Sequence, residues 1–169
     1  QTNIEQLTET TWNCDLFGSG RGTKTSSPDF VHYFMTPLGC DGSFLTTIHN
    51  GSTYRVNHEA LTWTDAQIRC REYGGTLATI EDASEQADLQ TYLQNNGQST
   101  VSYSIGLNKR ADSQTWVWST TGETPTYLSW APDEPYTGDG QECVMMCYHQ
   151  NYDWCDTSCS SLKGFICEC

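Results

Sequence analysis

The side chains best suited to chemistry in this sequence lie in the segment 130–169. Its first part, WAPDEPYTGDGQEC, combines prolines and glycines with the acidic residues Asp133, Glu134, Asp139 and Glu142. Prolines and glycines favour loops, and carboxylate oxygens on a loop are the ligands that Ca²⁺ prefers in proteins. The apolar runs ECVMMCY and KGFICEC that follow are typical of β-strands. We therefore expect a ligand-facing loop held against a small sheet.

Cysteine is the most unusual feature of the composition, with 9 in 169 residues. Cys143, Cys147, Cys155 and Cys159 have the spacing C-x3-C-x7-C-x3-C, but the middle gap is short for a structural zinc site. Disulfide bonds explain so many cysteines better, and they indicate an oxidising compartment.

Other features agree with secretion. The sequon Asn50-Gly51-Ser52 predicts N-glycosylation at Asn50. The chain begins at Gln1, as expected after removal of a signal peptide, and no apolar run reaches membrane-spanning length. We expect a secreted, extracellular glycoprotein without a membrane span.

The charge excludes one class of partner. With 8 Lys and Arg against 21 Asp and Glu, the formal net charge is −13, which disfavours binding to the phosphate backbone of nucleic acids. Divalent cations, basic proteins and neutral sugars remain compatible with it. Catalysis is not expected, because the cysteines are better explained as bridges and no histidine falls in a nucleophile motif. The histidines are His32, His49, His58 and His149.

Local signals predict the elements that position the loop. Asn50-Gly51, between the alternating runs FLTTI and STYRV, predicts a β-hairpin. One helix is predicted after Thr62, which forms a capping pattern with Asp65, and a second after the N-cap Asp82. The remainder indicates strands and loops, so we predict the α+β class.

The order of these landmarks is specific. The run ALTWTDAQIRCREYGGTLATI is followed by SIGL, WVWS, WAPDEP, ECV, WCDTSC and GFICE. This series resembles a C-type lectin-like domain over about residues 51–169. The resemblance implies two helices flanking a small antiparallel sheet, a long irregular loop, and the bridges Cys70–Cys167 and Cys143–Cys159. It also implies that three tryptophans lie in the core, which is where such side chains usually lie: Trp116, Trp118 and Trp130.

Residues 1–50 are expected to form a loop-rich extension to that domain. The stretch GSGRGTKTSSPD has no apolar periodicity, and a Cys14–Cys40 bridge would close the loop. Because the first and last strands of this kind of fold lie side by side, Cys169 could instead pair with Cys40 and release Cys14. Nine is an odd number, so one terminal cysteine is left over and predicts a disulfide-linked homodimer or larger assembly.

In the family that this domain resembles, the sugar site holds Ca²⁺ between a Glu-Pro-Asn motif, an acid before a framework cysteine, and a Trp-Asn-Asp motif. Here Glu134-Pro135 matches, but Tyr136 replaces the first Asn and Cys155 the second, and a phenol is a poor Ca²⁺ ligand. A neutral amide, Gln141, stands in for the acid, with Glu142 beside it. We therefore expect at best millimolar Ca²⁺ affinity from the remaining ligands, Glu134, Gln141 and Asp156.

Two further expectations follow from the resemblance. Cys147 and Cys155 lie four residues inside the expected Cys143–Cys159 pair, so a nested Cys147–Cys155 bridge is predicted, which would fix the loop without an ion. Relatives also bind a structural Ca²⁺ between the second helix and the last strand, where Glu85 and Glu168 match the acidic ligands. The alternative is that Glu85 caps its helix and Glu168 is a strand-end residue.

Two functions compete. The first is carbohydrate binding, to a glycan or glycoprotein surface, through a reshaped loop site with weak or no Ca²⁺ dependence. The second is a lectin-like domain that uses the loop for protein, matrix or self-association. For the first, aromatic faces would stack on the sugar ring and polar groups would bind its hydroxyls. The candidate ligand-binding residues are Glu134, Tyr136, Gln141, Glu142, Trp154 and Asp156.

Overall fold

A computed structural model of the protein describes Cys40 and residues 46–109, 115–136 and 138–169. None of the helices described there is long and apolar enough to cross a membrane. The helices are α1 (Trp63–Glu72) and α2 (Ala83–Asn96), and a 3₁₀ turn covers Tyr148–Gln150. The strands are β1 (Thr46–His49), β2 (Ser52–Leu61), β3 (Thr76–Leu77), β4 (Tyr103–Lys109), β5 (Trp116–Trp118), β6 (Cys143–Met146), β7 (Trp154–Thr157) and β8 (Lys163–Glu168).

The strands form one sheet in the order β1-β2-β8-β4-β6-β7, with β3 beside β8 and β5 beside β4. The pairs are antiparallel except for β4 with β8, which is parallel. The sheet is therefore mixed rather than purely antiparallel, because the last strand enters between β2 and β4. The predicted α+β class is confirmed, and β7 lies at one edge of the sheet.

The local sequence signals have the structural roles that were predicted. Asn50 and Gly51 adopt positive φ angles of 37° and 95° at the hairpin turn, as this two-residue turn requires. The Thr62 hydroxyl accepts the N–H of Asp65 at 3.2 Å, which caps α1. The Asp82 carboxylate accepts two N–H groups at the start of α2, at 2.8 and 2.9 Å. Such caps satisfy donors that a helix leaves unpaired.

The main core lies between α2 and the sheet and is rich in aromatic side chains. Trp118 is buried there, whereas Trp116 and Trp130 are only half-buried and pack against its margin. The tryptophan prediction therefore holds for Trp118 and in part for the other two. A second cluster lies under α1, where the indole N–H of Trp63 donates to the carbonyl of Ile105 at 2.8 Å.

Four disulfide bonds join the described residues. Three are the expected pairs Cys70–Cys167, Cys143–Cys159 and Cys147–Cys155. The predicted Cys14–Cys40 bridge is wrong, because Cys40 is bonded to Cys169. The backbone explains this pairing: the N–H of Cys40 donates to Tyr73 and that of Cys169 to Thr53, which brings their Cα atoms to 5.6 Å.

Residues 1–39, including Cys14 and the GSGRGTKTSSPD stretch, lie outside the described part of the chain. The predicted domain boundary near residue 50 and the fate of Cys14 therefore stay predictions.

Candidate functional site

The long loop is the segment that joins β5 to β6, and it lies along the edge strand β7. The N–H of Trp154 donates to the carbonyl of Ser129 at 2.7 Å, and the N–H of Ala131 donates to the carbonyl of Trp154 at 2.8 Å. The loop then turns through a cis Glu134-Pro135 peptide bond. This docking brings Glu134 of the loop next to Asp156 of β7.

Glu134 and Asp156, here called the acid pair, form the centre of the candidate site. The N–H of Tyr136 donates to both carboxylates, at 3.1 Å to Glu134 Oε2 and 3.0 Å to Asp156 Oδ1. Asp156 is only 3% exposed, and its other oxygen, Oδ2, is buried without a hydrogen-bond partner among the described residues. An unpaired buried oxygen is costly. The pair therefore suits a ligand that brings hydrogen-bond donors or positive charge.

Electrostatics support this interpretation. Burial raises the pKa of Glu134, and the neighbouring carboxyl group of Asp156 raises it further. A carboxyl whose pKa is raised on folding stabilises the fold while protonated, below about pH 4, and that stability is lost as pH rises through the folded pKa. Glu134 therefore destabilises the fold once it is ionised beside Asp156.

Glu134→Gln is therefore expected to raise the melting temperature at pH 7, because it removes one of two facing charges while keeping the shape. The gain should shrink below about pH 4, where Glu134 is protonated in both states. Thermal unfolding at both pH values measures it. Glu142→Gln, at an exposed residue of the same loop, is the control and should change little. A melting temperature that falls in Glu134→Gln would contradict the electrostatic argument.

The acid pair fits a cation only in part. Ca²⁺ takes about six to eight oxygens, and the two carboxylates supply a minority of them. Nowhere in the described ranges do three His, Cys, Asp or Glu side chains come together as a metal site. Gln141, the third expected ligand, is half-buried, and in the described part of the chain its side chain makes no hydrogen bond to the acid pair. Water or a bound ligand would have to supply most of the oxygens.

The other predicted contact residues differ in position. Tyr136 is 56% exposed beside the acid pair and can offer its ring to a ligand. Glu142 is exposed, and its backbone N–H and carbonyl pair with Thr157 and Lys109 at 3.1 and 2.8 Å. This pairing places Glu142 across from the residue after Asp156. The structure thus groups the acid pair with Tyr136 and leaves Gln141 and Glu142 at the margin.

Trp154 was expected as a stacking face, and the structure contradicts this role. Its side chain is 0% exposed, because the docked loop covers it. Its indole N–H donates to Gln86 Oε1 at 2.8 Å. Three aromatic rings pack edge-on against it within about 6 Å, namely Trp118, Tyr127 and Trp130. Trp154 is a core residue that supports the strand carrying Asp156.

Glu85 and Glu168, the second predicted Ca²⁺ position, already have protein donors. Glu85 is 5% exposed and accepts the hydroxyl of Tyr54 and, at 2.7 Å, the N–H of Glu81. Glu168 accepts the N–H of Thr79 at 3.0 Å, and burial raises its pKa. These contacts fit a structural role. Ca²⁺ at this position stays a prediction.

Two asparagines lie outside the group formed by the acid pair and Tyr136. Asn108 was not singled out, yet its side-chain oxygen on β4, opposite Cys143, is buried without a partner among the described residues. The sequence shows that this residue is polar, but it does not show that its side chain is buried. Asn50, the predicted glycosylation site, is exposed at the hairpin tip, where its Nδ2 lies 2.8 Å from His49 Nε2. Modification there stays a prediction.

Comparisons with known proteins agree with this fold. The family model of the lectin C-type domain matches residues 59–169. A C-type lectin mannose-binding isoform from Oxyuranus scutellatus is 37% identical over 124 residues, 71% of this chain and 78% of the relative. Human lithostathine shares the fold with a TM-score of 0.68 at 23% identity, over 75% of this chain and 96% of that one.

A calcium-independent type II antifreeze protein also shares the fold, with a TM-score of 0.64 at 24% identity, over 75% of this chain and 92% of that one. The fold and its disulfides thus define a C-type lectin-like domain. The chain belongs to the C-type lectin family.

Proposed function

We propose that this protein is a secreted lectin that binds carbohydrate at the acid pair, with weak or no dependence on Ca²⁺. The observation that carries the proposal is Oδ2 of Asp156, which lies buried beside Glu134 without a partner in the described part of the chain. Sugar hydroxyls are donors that can satisfy such an oxygen directly, without an ion. The mannose-binding description of a relative that is 37% identical supports the ligand class. Secretion is supported by the disulfides and the sequon.

The residues around the acid pair suggest how a sugar is held. One hydroxyl donates to the half-buried carboxylate of Glu134, a small shift of the covering loop admits a second hydroxyl to Asp156 Oδ2, and the exposed ring of Tyr136 covers the apolar face of the sugar. Gln141 and Glu142 add polar contacts at the margin. Ca²⁺, where it binds, would be held by the acid pair and Gln141 and would add charge that orients the hydroxyls. Its expected affinity is millimolar at best. Nothing in this arrangement calls for catalysis.

A glycan array with the wild-type protein and Asp156→Asn tests the proposal. The substitution keeps the shape but replaces an acceptor with an amide donor, so we expect binding to fall about tenfold or more. Asp139→Asn, at an exposed acid of the same loop, removes the same charge and should bind normally. Adding EDTA should change the wild-type signal little.

Two results would count against the proposal. Binding that disappears in EDTA would show that Ca²⁺ carries recognition. A protein that binds no glycan would favour the alternative, in which the loop contacts protein, matrix or a second copy of the chain.

The proposal also includes a disulfide-linked homodimer or larger assembly, because the four bridges use eight of the nine cysteines and leave Cys14.

A further inference from the structure

A groove with a volume of about 260 Å³ opens on the surface between β2, the start of β8 and the chain that enters β4. None of its lining residues belongs to the long loop or to β7, so it is separate from the acid pair. They are His58, Ala60, Thr100, Val101, Ser102, Met145, Cys147, His149, Leu162, Lys163 and Gly164. Its size is slightly below that of typical pockets for drug-sized ligands, which suits a single sugar unit.

The charges of this groove differ from those of the whole protein. The chain has 21 acids against 8 Lys and Arg, yet no Asp or Glu is among the described residues that line the groove. Lys163 contributes a basic side chain, and His58 and His149 contribute imidazole rings that can donate hydrogen bonds. These three side chains come from β8, β2 and the 3₁₀ turn. The groove is therefore a local positive site on an acidic molecule.

His58 lines the groove and contacts Tyr103 through one ring nitrogen. The Tyr103 hydroxyl oxygen accepts the N–H of Gln98 at 3.0 Å and lies 2.9 Å from His58 Nδ1. In the arrangement where the Tyr103 hydroxyl donates to Nδ1, the neutral ring of His58 carries its proton on Nε2. No described residue accepts a hydrogen bond from that Nε2–H. His58 can donate to an anion without first becoming charged.

Ser102 adds a donor in the same way. Its Oγ accepts the N–H of Tyr148 at 3.1 Å, which leaves the hydroxyl proton free to be donated. The groove therefore combines an ammonium group, an imidazole N–H and a hydroxyl, and its described lining residues include no carboxylate that would compete for them. Charge-assisted hydrogen bonds of this kind are the strong ones in oxyanion recognition.

We propose that this groove binds the carboxylate or sulfate group of an acidic sugar unit. The anion is held by Lys163, His58 and Ser102, with His149 closing the far side, and the sugar ring lies on the aliphatic side chains of the groove. The sugar as carrier rests on the proposed function, whereas the preference for an anion rests on the groove alone. Acidic glycans would thus bind at two places, through neutral units at the acid pair and through the charged unit here.

Titration of the ¹⁵N-labelled protein by NMR at low salt tests this inference, with glucuronate, glucose 6-sulfate and glucose as probes. The two acidic sugars should shift resonances of His58, Ser102 and Lys163, and glucose should not. A response to glucuronate alone assigns the carboxylate, and a response to the sulfate alone assigns the sulfate. Lys163→Gln should weaken binding about tenfold, whereas Lys163→Arg should retain most of it.

Arg71→Gln is the matched control, since it removes the same charge from an exposed position on α1 outside the groove. It should leave the affinity unchanged. The inference is overturned if glucose binds as well as the acidic sugars, if no probe shifts the groove resonances at millimolar concentration, or if Arg71→Gln weakens binding as much as Lys163→Gln. Shifts in the groove with no glycan bound on the array would refute the proposed function and leave this inference standing.

Discussion

Replacing Cys70 and Cys167 together with alanine is expected to lower the free energy of unfolding by about 4 kcal/mol. This bridge joins α1 to β8 and closes a separation of 97 residues. Without the bridge, the unfolded chain can adopt more conformations, so its conformational entropy rises and the unfolded state is favoured. The Cys40–Cys169 bridge still links the two regions by a shorter path, so the loss should be somewhat less than the ~4.7 kcal/mol of an isolated loop of that length. Denaturant unfolding measures the loss.

The double variant Cys143→Ala with Cys159→Ala is the matched control. This bridge closes only 16 residues, and the nested Cys147–Cys155 bridge constrains the same hairpin. We therefore expect a loss of about 2 to 3 kcal/mol. If the shorter bridge contributed as much as the Cys70–Cys167 bridge, loop closure would not explain the stability of the domain, and packing of the buried sulfurs would have to.

The parts of the fold that residue types alone could predict, without the family resemblance that implied Cys70–Cys167, depend on contacts a few residues apart. The Asn50-Gly51 turn and the Asp82 cap each involve atoms within about three residues, so local residue types determine them. The Cys40–Cys169 bridge spans 129 residues. It forms because backbone hydrogen bonds hold each cysteine against a different part of the domain, and residue types do not encode that arrangement. For this reason, the sequence alone could not decide whether Cys40 pairs with Cys14 or with Cys169.

The candidate site could also be predicted only in part from the sequence. Glu134 and Asp156 were expected together, and they share one backbone donor in the structure. The burial of one Asp156 oxygen without a partner among the described residues could not be predicted, because it depends on how the loop packs against β7. Trp154 was misassigned for the same reason. It lies two residues before Asp156, on the same side of β7, where the loop covers it.

Trp154→Ala is expected to lower the free energy of unfolding by about 3 to 5 kcal/mol, which distinguishes its core role from a ligand-stacking role. The side chain is 0% exposed, so the substitution leaves a large cavity among the surrounding rings. It also leaves Gln86 Oε1 without the indole N–H that now lies 2.8 Å away. Trp154→Phe keeps much of the packing but not this donor, so it should lose about 1 to 3 kcal/mol. Denaturant unfolding of both variants gives the values.

Tyr136→Ala is the complementary control. Tyr136 is 56% exposed beside the acid pair, so its removal should leave the unfolding midpoint nearly unchanged and weaken binding on the glycan array. Trp154→Ala should instead lower the unfolding midpoint. Any loss of glycan binding in this variant should be proportional to the fraction of protein that is unfolded. A Trp154→Ala protein with a normal unfolding midpoint and no glycan binding would return Trp154 to the ligand surface. That result would require the loop to open away from β7, since the indole is inaccessible while Ser129 and Ala131 stay bonded to that strand.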